Sequence, residues 1–158
     1  MPGFRTILHP TDFSDCSEPA RRLAIALARD YGARLVLLHA YPPPLTAAEV
    51  IDRGRADEVE GAVLDRLRDL VPADRTFGIE YRAVEGDPAE MILREAACGC
   101  DLIVLGTHGR GGLSRVLLGS TAERVSRGAP CPVATVRPSA HVPRDAALGG
   151  PVEVGCGD

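Results

Sequence analysis

The chain has 158 residues, 45% of them hydrophobic, with a net charge of −4 and a mean hydropathy near zero (+0.01). Those figures suit one soluble globular domain with a sizeable core, and the acidic balance and 4% aromatic content argue against a nucleic-acid surface. No apolar run reaches the length of a membrane span and the opening MPGFRTILHP lacks a signal-peptide pattern, so a cytoplasmic location without membrane contact is expected. The five cysteines are odd in number and scattered, which is not a disulfide framework. Cys98-Gly99-Cys100 is the one close pair, without a second pair or a histidine at zinc-binding distance, so half-buried free thiols are expected.

In chain order, Thr6 to His9 reads as a short strand stopped by Pro10. Asp12, Ser14 and Ser17 offer capping oxygens to a helix whose apolar face is Ala20, Leu23, Ala24, Leu27, Ala28 and Tyr31, ending at Gly32. Arg34 to Ala40 is a second buried strand, followed by a turn at Pro42-Pro43-Pro44. Residues 45–57 carry no clear pattern, and Gly54 is expected to interrupt any helix there. Val59, Val63, Leu64, Leu67 and Leu70 mark the next helix, and Phe77 to Glu85 a third strand. Asp87, Pro88 and Glu90 then open a helix as N-cap, N1 and N3 residues, running to Gly99. A fourth strand (Leu102 to Leu105), a glycine-rich loop, a helix from Ser120 and a fifth strand (Val133 to Val136) complete a β-α-β-α-β-α-β-α-β order. Such alternation predicts an α/β fold with one open, mostly parallel five-stranded sheet and helices on both faces, a Rossmann-like layout.

The loop between the fourth strand and its helix is the most informative stretch. It is bounded by Gly106 and Gly119, with Gly109, Gly111 and Gly112 between. Glycines admit backbone N–H groups close to an anion, and the helix start at Ser120 and Thr121 adds unpaired N–H groups and the positive end of a dipole. Arg110, Arg115, Arg124 and Arg127 face only Glu123 in this region, a local reversal of the overall charge. The chain has no lysine, which excludes a Walker A loop. Ser114 replaces the third glycine of a dinucleotide fingerprint, which makes that match weak.

The spacing present is Gly106-x2-Gly109-x9-Gly119-Ser120. It resembles the G-x2-G-x9-G-[S/T] motif of the nucleotide-binding branch of the universal stress protein family. Pro10-Thr11-Asp12, the segment Val84 to Pro88 and the closing Pro130 to Val136 are similar to the same family, colinearly over roughly residues 3–138. The resemblance implies strand order 3-2-1-4-5, an adenine nucleotide alpha hydrolase-like topology. It places Asp12 and the glycine loop at the carboxyl ends of the strands where the order reverses. It further implies ATP as ligand, with Mg²⁺ or Mn²⁺ on the phosphates. Gly109, Arg110, Gly119, Ser120 and Thr121 would hold the phosphates, with backbone N–H groups first. Gly106 would lie against the ribose, the Pro10-Thr11-Asp12 turn against the adenosine, and the Ala40 main chain against adenine. His108, inside the loop, is a candidate phosphate contact.

His9 and His39 end neighbouring strands, but without a matching carboxylate or cysteine a core or rim role is expected rather than a metal pair. No catalytic residue can be assigned, because no general base stands out beside a phosphate cradle. The expectation is therefore an ATP-binding stress-response regulator or switch with slow or no hydrolysis. A weak ATPase or nucleotidyl-transferring enzyme of the same fold, and a nucleotide-free interaction module, are the alternatives. The resemblance implies a homodimer paired through the fifth strand and an unidentified protein partner. Residues 1–138 are expected to form the domain, and 139–158 a disordered tail in which Val152 to Val154 alternates like a short strand.

Overall fold

A computed structural model describes residues 3–43, 53–107 and 118–137. Its elements are β1 (Thr6–Pro10), α1 (Glu18–Tyr31), β2 (Arg34–Tyr41), α2 (Arg53–Leu70), β3 (Ile79–Glu85), α3 (Pro88–Ala96), β4 (Leu102–Gly106), α4 (Ser120–Gly128) and β5 (Val133–Val136). A 3-10 turn, Asp15–Ser17, leads into α1. The five strands are parallel in the order β3-β2-β1-β4-β5, the sheet the motif resemblance implied.

Period-two alternation along the central strands divides the core into two layers. Leu8, Val36, Leu38, Ile103 and Leu105 meet Ala89 and Ile92 of α3 and Ala122 and Val125 of α4. On the opposite face, Ile7, Leu35, Leu102 and Val104 meet Ala20, Ala24 and Ala28, the small residues that let α1 lie close to the sheet. Leu37 packs beside Val63 and Leu67 of α2. At the amino ends of the strands, one oxygen of Asp101 accepts from the Arg5 and Thr6 N–H groups, both at 2.9 Å, tying the start of β1 to β4.

The helix boundaries follow local chemistry. Gly32 closes α1 in the left-handed region (φ 61°), and the Asp87 side chain caps α3 by accepting from Glu90 N–H at 3.0 Å. Four sequence expectations need correction. Tyr31 is exposed at the rim, edge-on to Phe4, because it sits in the last turn of α1 beyond the sheet. Gly54 lies within α2, where the apolar face of the later turns outweighs one unfavourable residue. Phe77 precedes β3 and is a buried plug beneath α1, with the Arg29 guanidinium 5.7 Å from its ring centre. α3 stops at Ala96, short of Gly99. The expectations for residues 45–52 and for the tail 139–158 lie outside the described residues.

Candidate functional site

The crevice begins where β1 and β4 part. Their register pairs Ile7 with Leu102 and Leu8 with Ile103 and goes no further. The next carbonyl of β4, that of Val104, accepts instead from His9 Nδ1–H at 2.8 Å. His9 is fully buried, and burial pushes its pKa down to about 4, so the ring is neutral with its proton on Nδ1. The imidazole thus satisfies a carbonyl that the sheet would otherwise pair, and it acts as a wedge where the strand order reverses. The expected core role for His9 holds, and it positions the site as well.

On the other side of β1, strand parity decides what faces the crevice. Arg34 N–H donates to Arg5 C=O, and Thr11 N–H to Leu38 C=O, so the even-numbered residues of β2 turn their main chain toward β1. Leu35 N–H to Gly78 C=O and Gly86 N–H to Tyr41 C=O show the odd-numbered ones turned toward β3. The β1 ladder ends at Leu38, which leaves the N–H and C=O of Ala40 aimed past the end of β1.

The acidic turn that follows β1 is over-determined. Asp12 Oδ1 accepts from Ser14 N–H (2.9 Å) and Ser14 Oγ–H (2.5 Å), and Thr11 Oγ1 accepts from Phe13 N–H (3.1 Å). Ser17 Oγ–H donates to Ser14 C=O (2.8 Å), and His39 Nδ1–H donates to Thr11 C=O (2.8 Å). These bonds hold Phe13 at φ 62°, an uncommon backbone state for a non-glycine residue. Its ring lies 4.5 Å from that of His39, and the Arg66 guanidinium sits 4.0 Å from its centre. Thr11 is buried, so its hydroxyl serves the turn; Asp12 is half-buried at the crevice rim. Asp12 does not cap α1, whose first turn follows from Ser17 without a side-chain cap bond.

Across the crevice, β4 ends at Gly106, and Gly119 N–H donates to the C=O of the next residue, Thr107, at 2.6 Å. That bond brings the start of α4 back beside the strand end. It also commits the Gly119 N–H, and Gly119 is the N-cap of α4 without a side-chain bond. Ser120 is the first helical residue rather than the cap, so the donors presented are the N–H groups of Ser120, Thr121 and Ala122. The local positive charge is reduced as well. Arg124 pairs with Asp87 (2.9 Å) and Arg127 with Glu123 (2.7 Å), so neither serves the crevice.

Of the sequence-derived site residues, Pro10, Thr11, Asp12, Ala40, Gly106, Gly119, Ser120 and Thr121 thus gather at one end of the sheet. His108, Gly109 and Arg110 lie outside the described residues. Among the described residues no group of three or more histidine, cysteine or acidic side chains is placed to hold a metal ion. Among them, too, no helix is long and apolar enough to cross a membrane. The contributions of His9 and His39 were missed by motif reading, because each acts through a main-chain carbonyl.

Known proteins share the sequence family and the fold. The model of the universal stress protein family matches residues 3–137. A Thermus aquaticus protein described as a universal stress protein in the QAH/OAS sulfhydrylase 3' region is 37% identical over 140 residues, covering 85% of this chain and 99% of its own. The solved structure of universal stress protein UspA from Lactobacillus plantarum superposes with a TM-score of 0.70 at 28% identity, covering 87% of this chain and 100% of that one. A universal stress protein solved in complex with cAMP gives 0.64 at 29% identity, covering 87% of this chain and 99% of its own.

Proposed function

The chain belongs to the universal stress protein family, and from that premise we propose that it binds an adenine nucleotide between the β1 turn and the start of α4. The observation that carries this reading is the uncapped amino end of α4, held against the end of β4 by the bond from Gly119 to Thr107. Three main-chain N–H groups and the positive pole of the helix are turned to one place, which suits phosphate. The cAMP complex of a relative 29% identical supports an adenine ligand.

The residues divide the ligand between them. The Ala40 N–H faces adenine N1 and its C=O faces the exocyclic amine. Asp12 accepts from a ribose hydroxyl at the half-buried rim, and Gly106 leaves room for the sugar. Ser120 and Thr121 take the phosphates with the loop residues His108, Gly109 and Arg110. ATP is the proposed nucleotide, and Mg²⁺ or Mn²⁺ would be carried on its phosphates and water, since no acidic cluster of the described residues offers a protein-held site. Without an assigned base, the protein works as a switch whose state follows nucleotide occupancy, with slow or no hydrolysis. We place it in the cytoplasm, as a homodimer that covers the outer edge of β5, with a partner protein that reads the bound state.

Titration calorimetry with Mg·ATP, AMP, cAMP and Mg·GTP tests this. Adenine nucleotides are expected to bind and GTP to bind at least 10-fold more weakly, because guanine presents an acceptor and a donor in the reverse order to the Ala40 main chain. Asp12→Ala is expected to weaken ATP roughly 10-fold. Equal binding of GTP, or no loss in the variant, contradicts the assignment.

A further inference from the structure

At the amino ends of the strands, opposite the crevice, the fold brings together two cysteines far apart in sequence. The β4–β5 register pairs Ile103 with Val133, and Ile103 N–H donates to Pro132 C=O at 3.0 Å. Continued two residues back, that register sets Asp101 opposite Cys131, with Cys100 its diagonal neighbour. With strands about 4.8 Å apart and a rise of about 3.3 Å per residue, such a diagonal pair lies roughly 6 Å apart, within the Cα separations of roughly 4.4–6.8 Å that a disulfide spans. Both cysteines are half-buried against the same apolar cluster with their thiols as neighbours, and the Cys100 Sγ–H donates to the Leu102 carbonyl at 3.1 Å. Cys98 is exposed and its thiol turns back to the Arg94 carbonyl at 3.5 Å.

We propose that Cys100 and Cys131 form a reversible intramolecular disulfide, a redox modification site that closes the chain around β4, the glycine loop and α4. The oxidant is a peroxide. Cys100 borders a cavity of about 100 Å³ that Thr6, Arg34, Arg82 and the exposed Cys98 also line, and its thiolate is the nucleophile that attacks the peroxide. Its sulfur takes one peroxide oxygen to give a sulfenic acid and one water. The Cys131 sulfur then bonds to the Cys100 sulfur, and the sulfenic oxygen leaves with the Cys131 proton as a second water. Two thiols lose two electrons, and one peroxide is reduced to two waters. Burial pushes both thiols up, Cys131 to about 12, which keeps thiolate scarce. The crosslink therefore forms slowly, as a staple under sustained oxidation rather than a fast sensor. A dithiol reductant restores both thiols.

The test treats the full chain with excess hydrogen peroxide, alkylates the remaining thiols, and maps the non-reduced digest by mass spectrometry. A Cys100–Cys131 crosslinked peptide is expected, lost on reduction. The thermal midpoint is expected to rise by roughly 5–10 °C, an effect retained in Cys98→Ser and absent in Cys131→Ser. Crosslinks dominated by Cys98–Cys100 or by intermolecular pairs overturn the proposal. So does oxidation of Cys100 to sulfinic acid without a crosslink. A crosslink that leaves the midpoint unchanged overturns the claim that it staples the fold.

Discussion

As pH falls to 4, the folded protein is expected to lose about 3 kcal/mol of stability through His9 alone. Burial lowers the folded pKa from 6.5 to about 4, helped by Arg21 and opposed by the bond to Val104 and by Asp12. Between those two values the unfolded chain takes up a proton on this ring and the native one does not. Protonation therefore favours unfolding: the contribution is intact above pH 6.5 and runs down as pH drops toward 4. Carboxylates held below their usual range, such as Asp87 beside Glu90 N–H and Arg124 and Asp101 beside the Arg5 and Thr6 N–H groups, add their losses at lower pH. Urea unfolding at pH 7.5, 5.5 and 4.5 reads the slope directly. His9→Asn keeps a donor near the Val104 carbonyl but does not titrate, so it should be less stable at pH 7.5 and show a much flatter profile. Equal slopes in the two proteins would contradict the buried neutral wedge.

The second large effect separates folding from binding. Ser120 is the exposed first residue of α4, where an added carboxylate favours the helix by up to about 1 kcal/mol. The same charge set near a phosphate costs roughly 3 kcal/mol at 5–6 Å in a partly screened site. Ser120→Asp is thus expected to unfold at the same or a higher temperature while binding Mg·ATP about 100-fold more weakly. Its affinity for adenosine, which carries no phosphate, should be unchanged, and Ser120→Asn should bind Mg·ATP nearly as the parent does. A parallel loss for adenosine would mean that the substitution disturbs the crevice rather than a phosphate.

Much of this architecture is legible in the sequence because it is local. The alanines at 20, 24 and 28 fix the close face of α1, Asp87-Pro88 fixes the start of α3, and the glycine and serine spacing marks the end of β4 and the start of α4. What escaped depends on partners distant along the chain. Sequence separation of 95 residues hides the bond from His9 to Val104, and with it the reason the strands part. Summing arginines overstates the charge at the glycine loop, since Arg124 answers to Asp87, 37 positions away. The helix start at Ser120 is legible, but the Gly119 N–H to Thr107 bond that sets the helix end beside β4 is not. Ala40 has no side-chain chemistry to read and is reached through resemblance alone; the parity of the β2 ladder shows where its main chain points. The proposed pairing of Cys100 with Cys131 likewise comes into view only once β4 and β5 are in register.

Adenine-nucleotide binding is tested most directly on freshly purified protein, by denaturing it and identifying the released small molecules by mass spectrometry, beside thermal unfolding of the stripped protein with millimolar Mg·ATP. An adenine nucleotide released in near-stoichiometric amount, or a midpoint raised by added Mg·ATP, is the predicted result, and intact ATP would agree with slow or no hydrolysis. No nucleotide released together with no thermal shift would contradict the account, leaving a family fold whose open helix end serves some other anion.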